Sequence, residues 1–400
     1  MSPPPHGLTF LIDPLPLREF FAAYWERRPL LVQRQDDAYY SDLLTNSDLD
    51  TIISSSDARY PAIRLAKNGT FYPAAAYTKD VTVGNLTFQG VPDLDKISAE
   101  YSKGATISLP LLYRTWEPLR ALCVQLEEEL DHSVHANAYI TPGQTAGFPP
   151  HYDTHDVLVL QLTGSKRWFI DTPTIVLPHA TQTFRPQGFV PGPRLMEIEL
   201  SAGDLLYLPR GYVHSTKTSD RYSAHVTIGI NIYTWADLVR DLDPGAVERE
   251  DLRRAMPVGF ASRAELRPAM KAELARILGT RSPVVNFDSL IDLFIRRVKL
   301  MKERPPPRFR SDVIVISVDS LLRAPPAQAY RIAQQEDSVR LEFGARQYIF
   351  PATIAPTLNA MCMHSTFRIK DLPPTLDTGV ALDFARYMQG IGFLRSAGSV

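Results

Sequence analysis

Residues 147–170 read GFPPHYDTHDVLVLQLTGSKRWFI, and two apolar runs stand out within them: Asp156 to Thr163 and Lys166 to Ile170. Gly164 and Ser165 separate the runs, a two-residue connection of the kind that closes a β-hairpin, so the pattern predicts an antiparallel pair. A third strand is predicted over Asp204 to Leu208 and a fourth from about Tyr222 to Tyr233. Between about Ile107 and Tyr233, short runs of Val, Ile, Leu, Tyr and Phe alternate with Gly and Pro. Several short strands with turn signals between them predict a mainly β sandwich or barrel.

The text changes on either side. Before the strands, Phe20, Phe21, Tyr24 and Trp25 recur at helical spacing, which predicts a helix over Leu17 to Arg27 stopped by Pro29. After them, residues 236–304 read as helices, with apolar residues three and four apart over Ala264 to Leu278 and Leu290 to Met301. The run Pro305 to Pro307 marks a boundary. Beyond it, a predicted helix near Ala327 to Gln335, a hairpin from Val339 to Phe350 and a helix near Leu382 to Gln389 make a small winged-helix-like α+β unit. The domains expected are thus 1–235, 236–304 and 305–400.

Composition narrows the function. The 400 residues carry 43 Lys+Arg against 44 Asp+Glu, a formal net charge of -1, so the chain as a whole has no electrostatic case for nucleic acid or an anionic membrane. Residues 311–400 hold 8 Lys/Arg and 8 Asp/Glu, so the winged-helix-like end lacks the footprint of a DNA reader and no direct DNA binding is expected. No apolar stretch approaches the roughly 20 residues of a membrane span, and the opening MSPPPHGLTF has no secretory pattern. Two distant cysteines, Cys123 and Cys362, disfavour both a disulfide framework and a Cys-based zinc cluster. A cytoplasmic location is the expectation.

The chemistry centres on His151-Tyr152-Asp153. Residues two apart on a strand point the same way, so His151 and Asp153 are expected to reach one ion together. His214 is the third candidate: Asp204 to Leu208 leads through a Pro209-Arg210-Gly211 turn back to it. Two imidazoles and one carboxylate, with positions left open, suit the non-haem Fe(II) oxygenases; zinc accepts the same donors but favours closed tetrahedral sites. Lys166 shares a face with Trp168 and Ile170, and a lysine aimed at an apolar interior needs an anion. If that face lines the barrel, the anion is a ligand carboxylate held beside the iron. His155 and His225 are open between substrate contact, support of a ligand and plain packing. His6, His132, His135, His179 and His364 have no supporting pattern.

These residues resemble the ribosomal oxygenases, the Jumonji C (cupin-type) group of Fe(II)- and 2-oxoglutarate-dependent protein hydroxylases. The text that carries the resemblance is Asn137 to Pro142, Gly147 to Asp153, Gln161 to Trp168 and Gly203 to His214. It extends to Phe20 through Val32 and, more weakly, into the helical and winged-helix-like segments. The resemblance implies a double-stranded β-helix (jelly-roll/cupin) core holding Fe(II) through His151, Asp153 and His214. It places Lys166 on the distal carboxylate of 2-oxoglutarate, with Asn137 and Tyr139 lining the cosubstrate pocket and O2 as second cosubstrate. It further implies homodimerisation through the helical segment, and hydroxylation of an arginine or histidine side chain of a ribosomal protein. The stretch between Trp168 and Gly203 gives no firm match. The alternatives are a hydroxylase of a free amino acid or short peptide in a tailoring pathway, and a non-enzymatic cupin-like regulator.

Overall fold

Asp156 to Leu162 are buried one after another, with no polar-facing gap, because this strand is covered on both faces and paired on both edges. The computed structural model describes residues 7–54, 59–219, 221–279, 286–301, 316–325, 330–343, 346–364 and 366–396. The chain divides into two compact units, Met1–Met270 and Lys271–Val400. This division falls inside the expected helical segment. Pro305 to Pro307 lie outside the described residues.

The first unit begins with α1 (Leu8–Ile12), α2 (Leu17–Ala23), β1 (Leu30–Val32), α3 (Asn46–Ser54), β2 (Arg64–Lys67), β3 (Thr70–Phe71), β4 (Thr78–Val83), β5 (Leu86–Pro92) and α4 (Leu94–Ser102). It continues through β6 (Thr106–Leu109), α5 (Glu117–Leu130), β7 (Ser133–Thr141), β8 (Asp156–Thr163), β9 (Ser165–Asp171), β10 (Arg194–Ser201), β11 (Leu205–Leu208), β12 (Val213–Thr218), β13 (Ser223–Asn231) and α6 (Trp235–Val239). One antiparallel sheet has the order β1-β11-β8-β13-β7-β6-β2-β3; a smaller one is β10-β9-β12. Side chains of period two sort the core. Val157, Val159, Leu206 and Leu208 from the large sheet meet Trp168, Ile170 and Leu200 from the small one. The opposite face of the large sheet, with Leu158, Leu160 and Tyr207, packs with Leu8, Phe20 and the α5 residues Leu119, Leu122 and Leu126. Each such fully buried side chain is worth roughly 1.5–3 kcal/mol.

The strands over β8, β9, β11 and β13 fall where the sequence places them, but the predicted hairpin does not form. β8 is already paired with β11 on one edge and β13 on the other, so β9 crosses to the other sheet. Gly164 makes the crossing with φ +66°, and a Cβ there would sit 2.0 Å from the Tyr222 carbonyl oxygen. The first predicted helix also ends early, at Ala23 rather than Arg27.

In the second unit, α7 (Arg267–Leu278), which starts just before the division, and α8 (Phe287–Met301) precede a small α+β assembly. It comprises β14 (Leu321–Arg323), β15 (Tyr330–Gln334), β16 (Ser338–Phe343), β17 (Arg346–Pro351), α9 (Ala355–Met363), β18 (Phe367–Arg368), α10 (Thr378–Gly390) and β19 (Arg395–Ser396). The helix expected near Ala327 to Gln335 is overturned where it is described. Tyr330–Gln334 is a strand, because its register with β16 sets Tyr330 and Ile332 opposite Phe343 and Leu341 over one core. No described helix is long and apolar enough to cross a membrane.

Candidate active site

His214 is the second residue of β12, and its backbone exchanges two hydrogen bonds with His151, N–H to O at 2.8 Å one way and 3.1 Å the other. That bridge is isolated: Pro149 and Pro150 have no N–H to offer, and the pairing resumes only at Gly147, whose N–H donates to the Thr216 carbonyl at 2.8 Å. Residues 152–155 belong to no strand, so the expectation that His151 and Asp153 share a strand face is corrected. The turn brings Asp153 in from the side instead, its carbonyl accepting the Gly211 N–H at 3.0 Å. One ligand atom from each of His151, Asp153 and His214 lies within 4.8 Å of the others, and His214 Nε2 is 3.6 Å from Asp153 Oδ2.

These three residues have the donor chemistry a divalent metal needs. His151 Nδ1 lies 2.8 Å from the Pro149 carbonyl oxygen and His214 Nδ1 lies 3.1 Å from that of Tyr212. A carbonyl only accepts, so each Nδ1 carries the proton and each Nε2 offers its lone pair. Burial lowers the His214 pKa to about 4, with the neighbouring His151 adding to the effect, so this imidazole is neutral. Burial works to raise the Asp153 pKa, but the imidazoles of His155, His214, His151 and His135 outweigh it and hold it below the ordinary carboxylate value.

The triad opens on a cavity of about 310 Å³ that Asn137, Tyr139, Lys166 and Trp168 also line. Lys166 is 2% exposed and its Nζ donates to Thr141 Oγ1 at 3.0 Å. Burial alone lowers its pKa to about 7. An ammonium buried against a neutral hydroxyl has no counter-ion among the described residues, which is the environment a ligand carboxylate would complete. Asn137 Oδ1 accepts the Leu111 N–H at 2.9 Å. Tyr139 stacks on His225, with ring centroids 5.2 Å apart. Burial, then the Asp153 charge, pushes the Tyr139 hydroxyl up to about 12, so it stays protonated.

Both undecided histidines line this cavity. His225 sits opposite Tyr139 in the β13/β7 register, and burial followed by the Lys166 charge keeps it neutral. His155 contacts His135, with ring centroids 5.0 Å apart. His179 is engaged elsewhere, 3.1 Å from Asp237 and 2.8 Å from the Thr181 hydroxyl. His132 is buried among aromatic rings, His364 is exposed, and His6 lies outside the described residues.

Residues 115–238, which carry this two-histidine, one-carboxylate set, match the family model of the JmjC domain. The chain contains a JmjC domain. Ribosomal oxygenase 1 of Gallus gallus is 33% identical over 264 residues, covering 62% of this chain and 41% of the relative. The bifunctional lysine-specific demethylase and histidyl-hydroxylase NO66 of Aedes aegypti is 30% identical over 312 residues, covering 72% of this chain and 47% of the relative. The chain thus spans about half the length of these curated relatives. Among solved structures, that of the Escherichia coli ribosomal oxygenase YcfD aligns over 96% of this chain and 98% of its own at 16% identity, with a TM-score of 0.42.

Sequence reasoning missed several residues of the JmjC cavity. Thr141, which holds Lys166, was legible in principle, since it continues the period-two face of Asn137 and Tyr139 on β7. Phe148 was not; its ring lies 6.0 Å from that of His151. Outside the cavity lining, the Phe184 ring lies 6.2 Å from that of His151, and Phe184 belongs to residues 172–193, outside any strand, where neither periodicity nor motif speaks.

Proposed function

We propose that this protein is an Fe(II)- and 2-oxoglutarate-dependent oxygenase that hydroxylates an arginine or histidine side chain of a protein, a ribosomal protein being the favoured substrate. The observation that carries the reading is a single cavity holding both halves of the chemistry. One half is a set of two Nε2 donors and a carboxylate within 4.8 Å of one another; the other is a buried lysine with no counter-ion among the described residues. The JmjC match over 115–238 and the relatives named for ribosomal and histidyl oxygenation support it.

In this reading His151, Asp153 and His214 hold the iron, and Lys166 binds the distal carboxylate of 2-oxoglutarate, with Asn137 and Tyr139 lining its path. When bound, iron and 2-oxoglutarate supply the activation of O2, in a reaction whose balance is 2-oxoglutarate, O2 and a C–H bond giving succinate, CO2 and C–OH. The chain's own residues bind, orient and exclude water. Lys166 fixes the cosubstrate's far end, the carbonyls of Pro149 and Tyr212 keep both imidazoles in the ligating tautomer, and Trp168 and Tyr139 wall the cavity. A volume of about 310 Å³ suits a small cosubstrate and the tip of one side chain. That size supports a substrate presented as a protruding side chain, with Phe148 and Phe184 flanking His151 as planar surfaces for an imidazole or guanidinium.

The proposal includes a double-stranded β-helix core within residues 1–235, a homodimerising helical segment over 236–304 and a winged-helix-like end over 305–400, acting in the cytoplasm. Mass spectrometry of ribosomal proteins incubated with the Fe(II)-loaded protein, 2-oxoglutarate and O2 tests the substrate. A one-oxygen increase on an arginine- or histidine-containing peptide is expected. Modification confined to a free amino acid or short peptide would replace the protein substrate with a small one.

A further inference from the structure

Segments 152–155 and 209–212 face each other across the ligand set, and neither is a strand. Three fastenings hold them in place of a ladder. At one end are the two backbone bonds between His151 and His214; in the middle the Gly211 N–H donates to the Asp153 carbonyl at 3.0 Å. At the other end the Arg210 backbone N–H and Nη1 both donate to Asp156 Oδ1, at 3.2 and 2.9 Å. Arg210 is itself pinned: Nη2 donates to the Glu26 carboxylate and to the Arg253 carbonyl, the latter at 2.7 Å. Tyr207 closes the knot by donating to Asp156 Oδ2 at 2.5 Å and accepting the Glu26 N–H at 3.0 Å.

All three charged groups are removed from water, with side-chain exposures of 1% for Arg210, 0% for Asp156 and 9% for Glu26. Buried ion pairs are poor stabilisers compared with apolar residues of the same volume, because desolvation offsets their attraction. What they provide is geometry. A guanidinium fork can satisfy Asp156, Glu26 and a carbonyl together only in one placement.

We propose that Arg210 is a positioning residue for the metal ligands: by clamping Asp156 it closes the irregular segment that carries Asp153 and sets the distance between that carboxylate and His214. The inference rests on the reading of His151, Asp153 and His214 as the metal set.

Co(II) binding to the full-length apoprotein tests it by visible absorption and calorimetry, without turnover. Arg210→Lys keeps the charge but loses the fork, and Co(II) affinity is expected to fall by roughly tenfold or more, with a changed absorption envelope. Leu126→Ala, in the α5 core away from the knot, is the control: it lowers the melting temperature and is expected to bind Co(II) as wild type does. Wild-type affinity in Arg210→Lys overturns the proposal, as does an equal loss in Leu126→Ala, which would make the effect general destabilisation. If Arg210→Lys fails to fold by circular dichroism, Asp156→Asn removes the charge that the Arg210 fork clamps, and an unchanged Co(II) affinity there overturns it equally. Absence of Co(II) binding by folded wild type would overturn the metal set and this inference together, whereas normal wild-type binding with an unaffected Arg210→Lys removes the inference alone.

Discussion

Replacing Lys166 by Ala isolates the cosubstrate half of the cavity from the metal half. Burial lowers the Lys166 pKa from 10.5 to about 7. At about 1.36 kcal/mol per unit, burial disfavours its charged form by about 5 kcal/mol. A carboxylate arriving beside Nζ returns part of that, and removing one partner of such a buried pair costs roughly 2–5 kcal/mol of binding. Affinity of the anaerobic Fe(II)-loaded protein for 2-oxoglutarate is therefore expected to fall at least tenfold in Lys166→Ala, with iron affinity retained because no ligand has changed. Lys166→Arg should recover part of the loss. The pH dependence gives a second readout with a definite sign. Below about pH 7 Lys166 is already charged, and binding takes up no proton there. Above it, up to the higher pKa of the complex, binding must protonate the amine, so affinity falls as pH rises. At pH 8, calorimetry in buffers of different ionisation enthalpy should find a net proton uptake in wild type that is missing in Lys166→Ala. Wild-type affinity in Lys166→Ala, or identical proton uptake in the two proteins, would refute the assignment of Lys166 to the carboxylate.

The remaining predictions are more local. Asp153→Ala and His214→Ala each remove a donor and not core filling, so metal affinity should fall by more than the roughly hundredfold that outer partners cost, while apoprotein circular dichroism stays that of wild type; tight metal binding by either variant would strike that residue from the set. Gly164→Ala sets a side chain at φ +66° against the Tyr222 carbonyl, and a loss of roughly 1–3 kcal/mol is expected in chemical denaturation. Unaltered stability would mean that the crossing between sheets is looser than described.

The strands were legible because β8, β9, β11 and β13 are apolar runs cut by Gly and Pro, and the His151, Asp153 and His214 cluster was legible because three donors of the right kind stand just before β8 and at the start of β12. Pairing was not legible in the same way. Gly164-Ser165 reads as a hairpin turn locally, and only the occupation of both edges of β8 by β11 and β13 forbids it. Asp153 illustrates a subtler failure: two residues from His151, it reaches the same point by a turn instead of by strand alternation. Tyr330–Gln334 reads as helix from its composition and becomes strand through its neighbour β16, a tertiary effect that local propensity cannot carry. Arg210 shows the same limit from the functional side. In the sequence it is one residue of a turn, and its partners Glu26, Asp156 and Arg253 come from three distant parts of the chain.

The central claim is that this cavity couples a metal to 2-oxoglutarate for oxidation, and succinate formation measures it most directly. Purified protein loaded with Fe(II) and supplied with 2-oxoglutarate, O2 and ribosomal proteins should release succinate, and the Asp153→Ala protein under the same conditions should not. Folded, Fe(II)-loaded wild type that forms no succinate, or an Asp153→Ala variant that forms as much as wild type, would contradict the account.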